Sequence, residues 1–175
     1  MARHGFGAAD IRRLLDLLNE ELAKDDTRAE VYLVGGAVMC LAFGARESTR
    51  DVDATFVPAR AVRAAAARVA ARARVPDTWL NDAVKAWLGG RGEFDRYLER
   101  SHLSVFVARP AYLLALKCAA MRLGEEFRDL DDVRYLLRHL NITSSREALA
   151  IVARYLGDDP IPVKTRLALE EILDG

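Results

Sequence analysis

The decapeptide "ESTRDVDATF", residues 47–56, sets Asp51 and Asp53 two positions apart at the entrance to an apolar run. In a strand, side chains at i and i+2 leave the same face, so both carboxylates point together while Val52 points into the opposite layer. Parallel carboxylates repel unless a cation lies between them. Mg²⁺ takes hard oxygen ligands, commonly one or two carboxylates plus substrate phosphates. The same spacing also occurs on plain strand edges, where solvated acids need no metal. Upstream, Gly35-Gly36 closes the apolar run "EVYLV" and lets the backbone turn sharply into a helix, whose first amides can seat phosphate oxygens; a simple tight turn has the same signature. Together the two features describe a site holding a nucleoside triphosphate between helix amides and a carboxylate-bound metal.

Lys117 is the third candidate. At helical spacing its neighbours are Leu113, Leu114, Ala120 and Met121, an apolar face on which an ammonium needs a partner. It can reach the surface, pair with an acid, or meet phosphate as a point charge. Next comes "RDLDDVRYLL". Projected as a helix, Leu130, Val133, Leu136, Leu137 and Leu140 form the buried stripe, Asp129 falls inside it and Asp132 on its border. Acids so placed are usually paired, which makes Asp129 and Asp132 candidates to hold Lys117, Arg122 or a ligand. Asp131 faces away, three residues from Arg134, as an ordinary surface pair.

These residues need elements to carry them. At 175 residues the chain is about one domain, 51% apolar and 30% charged, with 26 acids balancing 26 bases. Neutrality excludes attraction of phosphate by the whole-molecule field, so nucleic acid would have to meet a local basic patch. Four of the bases are lysines and the rest arginines; Arg60, Arg63, Arg68, Arg72 and Arg74 share an Ala-rich run read as a surface helix with a solvated basic face, an RNA-contacting face being the minor alternative. No apolar run reaches membrane-spanning length and the opening lacks a signal core, so a cytoplasmic protein without membrane contact is expected. Cys40 and Cys118, in apolar surroundings without metal-ligand spacing, read as buried free thiols.

Along the chain, Ile11, Leu14, Leu15, Leu18 and Leu22 predict a helix over 8–24. A strand over 30–34 runs into the glycine turn and a short helix closed by Gly44, and "DVDATFV" is a second strand. Pro58 opens the Ala-rich helix, "DTWLNDAVKAWL" is an amphipathic helix capped near Thr78, residues 89–101 form a loop, and "HLSVFVA" is a third strand. From Pro110 the chain is helical: "AYLLALKCAAMRL", "FRDLDDVRYLLRHL", a helix introduced by the capping box Ser144 to Glu147, and "VKTRLALEEIL". The expected class is α/β (α+β), a small mixed sheet flanked by helices over 1–109, with a helical C-terminal subdomain over 110–175 packed on it.

In order, "YLVGGAVMCLAFGARESTRDVDATF", "RPAYLLALKCAAMR" and "RDLDDVRYLLRHL" resemble the polymerase-beta-like nucleotidyltransferases, most closely the small toxin-type branch of abortive-infection and type IV toxin–antitoxin systems. The resemblance spans about residues 29–140. It implies a nucleotidyltransferase core in which Gly35 and Gly36 bind the triphosphate, Asp51 and Asp53 bind Mg²⁺ or Mn²⁺, Lys117 matches the motif lysine, and Asp132, beside Asp129, matches the later acid. It implies transfer of a nucleoside monophosphate from an NTP to an RNA acceptor, such as tRNA, or to a protein, and a cognate antitoxin. Two departures stand out. Fourteen residues separate Gly36 from Asp51, more than is usual, and "HLSVFVA" lacks the third acid that many members place on a neighbouring strand; Asp82, Asp129 and Asp132 are the available substitutes.

Two rival functions fit part of the pattern. "DVDAT" matches the D-x-D-x-T of haloacid-dehalogenase-type phosphatases, but those aspartates end a long apolar strand and here they open one. A non-catalytic nucleotide- or RNA-binding module of the same fold would account for a missing third acid.

Overall fold

A computed structural model of the chain describes residues 5–82, 92–121, 128–157 and 159–175. Among them are seven helices and one five-stranded mixed sheet. The chain divides into two compact units, Met1–Ala86 with Phe94–Ala108, and Trp87–Glu93 with Arg109–Gly175.

The first unit opens with α1 (Ala8–Lys24), whose predicted stripe is fully buried, and continues through β1 (Ala29–Leu33), α2 (Gly35–Leu41), β2 (Val52–Val57) and α3 (Ala59–Ala73). Then follow β3 (Leu80–Asn81), β4 (Phe94–Glu99) and β5 (Leu103–Ala108). The strand order is β3-β2-β1-β5-β4, with β1 antiparallel to β2 and parallel to β5. Burial alternates along β2: Val52, Ala54 and Phe56 are buried, whereas Asp53 and Thr55 are not. Val31, Leu33, Val105 and Val107 continue the buried side. The apolar face of α3 consists largely of alanine (Ala65, Ala66, Ala70), which lets it approach α1 closely. Across the more open side of the sheet, Tyr32 of β1 stacks on Phe106 of β5 at 4.8 Å, the two residues being in register.

A second bond between α1 and α3 is ionic. Glu21, on the buried side of α1, accepts from Lys24 at 2.7 Å and from Arg68 of α3 at 3.0 Å, with Arg72 at 3.4 Å. Arg68 also holds Asp25 at 2.6 Å, Arg72 holds Glu20 at 2.6 Å, and Arg63 pairs with Asp82. Much of the basic face expected on this helix is therefore neutralised by acids of the same unit.

Two expectations are corrected. No helix starts at Thr78 and runs through 80–81; those residues form β3, parallel to β2, with Val52 opposite Leu80 and Asp53 opposite Asn81. The Val52 N–H donates to the Trp79 carbonyl at 2.7 Å, and the Trp79 indole N–H reaches the Ala66 carbonyl at 3.0 Å, so tertiary partners outweigh the helical pattern. The rest of that segment, from residue 83, lies outside the described residues. Residues 94–99, expected in a loop, form β4, antiparallel to β5. A register shift between Arg96 and Leu98 breaks the period-two alternation that would have marked a strand, and β4 is an edge strand rich in charge.

The second unit contains α4 (Pro110–Ala119), α5 (Asp129–His139), α6 (Ser145–Leu156) and α7 (Val163–Leu173). Pro110 stands at the start of α4, where its missing N–H costs nothing. Ser144 caps α6 by accepting from the Glu147 N–H at 3.3 Å, and Asp174 accepts from the Ser145 N–H at 3.1 Å. Tyr112, Leu113, Leu114, Val133, Leu136, Val152 and Leu169 form the core. Thr165, fully buried on α7, donates to the Cys118 carbonyl at 2.7 Å. Both cysteines are buried and free, and burial pushes the Cys118 thiol up to about 12. No helix among the described residues is long and apolar enough to cross a membrane.

Candidate functional site

The antiparallel pairing of β1 with β2 brings the glycine pair to the aspartates. The Val34 N–H donates to the Asp53 carbonyl at 2.9 Å, one step beyond the last paired residues, Leu33 and Ala54. Gly35 follows at φ +65°, a conformation that L side chains avoid. A Cβ on Gly35 would lie 2.9 Å from Asp53 Oδ2, so the carboxylate fills the notch that the glycine leaves. The other carboxylate oxygen, Oδ1, accepts from the Asn81 side-chain amide at 3.1 Å. Asp53 is thus oriented from one side by backbone and from the other by β3.

Asp51 lies in the bend just before β2 and, like Asp53, is half-buried. Its carbonyl accepts from the Thr49 hydroxyl at 3.1 Å. Thr49 is buried and exchanges two backbone hydrogen bonds with Phe6, at 2.7 and 3.0 Å, which pins the loop between α2 and β2. Gly36 is a second notch: a Cβ there would lie 2.6 Å from Thr49 Oγ1 and 2.7 Å from Arg46 Nη1. Both glycines are therefore needed for close approach by side chains of the D-x-D loop.

By donor type alone, a pair of carboxylates suits a hard divalent cation. Mg²⁺ seldom uses an all-protein cage and keeps water and phosphate oxygens alongside one or two carboxylates, which is what Asp51 and Asp53 provide. Among the described residues no group of three or more His, Cys, Asp or Glu side chains is arranged to hold a metal.

In the second unit Lys117 projects from α4 among buried Leu113, Leu114 and Met121, only 10% exposed, and its Nζ lies 2.7 Å from Asp132 Oδ2 and 3.9 Å from Asp129 Oδ1. The acids are 5% and 7% exposed. Lys117, Asp129 and Asp132 thus come together as the sequence suggested; Arg122, the other cation considered, lies outside the described residues. Asp131 and Arg134 form the expected exposed pair at 3.5 Å. The three substitutes for a third acid each face a cation: Asp82 faces Arg63, and Asp129 and Asp132 face Lys117.

Sequence reasoning missed Arg46 and Asn81. Nothing marks Arg46 in a polar loop, and Asn81 falls inside the segment read as a helix. Asn81 becomes visible only once β3 is known to lie beside β2.

No family model, curated protein or solved structure matches the chain.

Proposed function

We propose that this chain is a metal-dependent nucleotidyltransferase with a polymerase-beta-like core, moving a nucleoside monophosphate from an NTP to an RNA acceptor, such as tRNA, or to a protein. The observation that supports this reading is the seating of Asp53 against Gly35: the glycine pair and the D-x-D motif meet at one point, and the Asp53 carboxylate is oriented there by Asn81. Asp51 and Asp53 would hold the Mg²⁺ or Mn²⁺, which supplies charge neutralisation at the α-phosphate and alignment of the attacking hydroxyl. The protein's own part is positioning: Asn81 sets the rotation of the Asp53 carboxylate, and Thr49 ties the backbone at Asp51 to the glycine pair. A toxin role with a cognate antitoxin in the cytoplasm follows from the sequence resemblance and is part of the same proposal.

A second reading, a non-catalytic nucleotide- or RNA-binding module of the same fold, is favoured by one observation. Lys117 is held between Asp132 and Asp129, as a structural ion pair would be. One experiment separates the two. The protein and an Asp53→Ala variant are incubated with each α-labelled triphosphate, Mg²⁺ and total tRNA or cell extract. Label transfer by the wild type alone supports the enzyme. Triphosphate binding without transfer to any acceptor supports the module, and phosphate release from simple esters would support a D-x-D-x-T phosphatase. Induced expression should arrest growth, with relief by Asp53→Ala; harmless wild-type expression counts against the toxin role.

A further inference from the structure

We infer that Tyr32 and Thr55 seat the terminal nucleobase of an RNA acceptor on the open side of the sheet, an inference that rests on the nucleotidyltransferase reading and adds to it the acceptor's binding residues. Strand register lays the side chains of this side out in rows. Two residues along β2 from Asp53, Thr55 is paired with Tyr32 of β1, which lies opposite Phe106 of β5, itself opposite Arg96 of β4. The rings of Tyr32 and Phe106 are 4.8 Å apart and 12° from parallel, and the Arg96 guanidinium lies over Phe106 at 5.8 Å. That ring separation matches the spacing of neighbouring strands, so the stack runs across the sheet, with one face of Tyr32 turned to Phe106 and the other toward β2. There its neighbour is Thr55, which has no ring. Phe94 meets Tyr32 edge-on at 5.1 Å, and Tyr32, Thr55 and Phe106 are all half-buried.

The direction of the reaction favours an acceptor at this place. The reading puts the metal on Asp51 and Asp53 and the leaving pyrophosphate toward the glycine pair. In-line displacement brings the attacking hydroxyl from the opposite side: its oxygen bonds to the α-phosphorus as the bond to pyrophosphate breaks, and its proton passes to water. From Asp53 the way leading off from Gly35 runs along β2 to Thr55, because β1 and β2 are antiparallel and Thr55 pairs with the residue three before that glycine. A terminal nucleoside lying there has the Tyr32 ring to stack on, a contact that any base can make. Of the two acceptors proposed, RNA is the one that always carries a planar group beside its hydroxyl. Charge limits the seat to one nucleotide. The next row across the sheet holds Glu30, which accepts from the Tyr32 hydroxyl, and Glu99, which accepts from Ser104, so further phosphates are repelled along that line.

The test follows label transfer from each α-labelled triphosphate, with Mg²⁺, to total tRNA, to a single-stranded oligoribonucleotide and to cell protein. Wild type, Tyr32→Leu, Tyr32→Phe and Thr55→Phe are compared, with a calorimetric Kd for the triphosphate and thermal unfolding of each protein. Tyr32→Leu should raise the KM for RNA about five-fold or more, the loss of one base–aromatic stack, with the triphosphate Kd unchanged. Tyr32→Phe, which keeps the ring and loses the bond to Glu30, should restore the lower KM. Thr55→Phe fills the seat with a ring of the protein's own and should abolish transfer to RNA while triphosphate still binds; it carries the test if Tyr32→Leu fails to fold. An RNA KM unmoved in folded Tyr32→Leu or Thr55→Phe, equal losses in Tyr32→Leu and Tyr32→Phe, or transfer to protein alone overturns the seat and leaves the nucleotidyltransferase reading intact. A wild type that transfers label to no acceptor overturns both.

Discussion

The Asp53 carboxylate occupies the space that a side chain on Gly35 would need, with Oδ2 2.9 Å from the Cβ position and Gly35 itself at φ +65°. The glycine thus has two separate reasons to be there, a backbone conformation and a carboxylate's volume. They predict different losses.

Gly35→Ala should cost about 1–2 kcal/mol of stability from the left-handed conformation alone, and should in addition push Asp53 out of place. Gly44 is the natural control, because it sits at φ +59° with no atom within 4 Å of a Cβ built on it. Gly44→Ala should show comparable destabilisation in urea unfolding yet keep Mg²⁺-dependent triphosphate binding, which Gly35→Ala should lose. Equal binding by the two variants would separate Asp53 from any role at the glycine.

Asn81 offers a test of positioning without strain. Its amide donates to Asp53 Oδ1 at 3.1 Å from a two-residue strand. Asn81→Ala should leave thermal stability within about 1 kcal/mol and lower the rate of label transfer about ten-fold, the cost of one hydrogen bond that orients a reacting group's ligand. An unchanged rate would show that Asp53 keeps its orientation without β3.

What could be read from the sequence, and what could not, follows from which interactions are local. The stripe Ile11, Leu14, Leu15, Leu18 and Leu22, the Ser144 cap and the Pro110 start are set by spacing and by backbone chemistry within a few residues, and the structure has each. The pairing of Lys117 with Asp132 could be anticipated because charges on two apolar stripes have to find each other. β3 and β4 could not. Leu80 and Asn81 are a strand only because the edge of β2 is there to bond them, and β4 hides its period behind an irregularity at Tyr97. Glu21 was missed for a related reason: its burial depends on Arg68 and Arg72, more than forty residues away.

Glu21 should govern part of the acid stability. Its carboxyl is held below the usual value of 4.5 by the hydrogen bond from Lys24, then by Arg68, against the opposing effect of burial. A carboxylate with a depressed folded-state value adds stability above its unfolded value of about 4.5, and that contribution is lost as pH falls through the lowered one. Glu21→Gln should therefore be less stable than wild type at neutral pH and flatten the fall of stability below about pH 4.5. Parallel curves for the two proteins in that range would remove Glu21 as the cause.

Lys117 and Asp132 provide the sharpest choice between a structural and a functional lysine. The pair is 2.7 Å apart with both side chains almost wholly buried, and Asp129 lies 3.9 Å from the same ammonium. Removing the lysine takes the ammonium away from two buried acids, so Lys117→Met should lose about 3–5 kcal/mol in urea unfolding. Lys117→Met combined with Asp132→Leu should recover part of that loss, giving a coupling energy of about 1–3 kcal/mol in the double-mutant cycle. If the double variant regains stability and also retains triphosphate binding, the lysine serves the helical unit alone. If stability returns while binding does not, Lys117 contributes to the ligand as well as to the fold. Additive losses in the cycle would deny the pair any coupling and contradict the geometry.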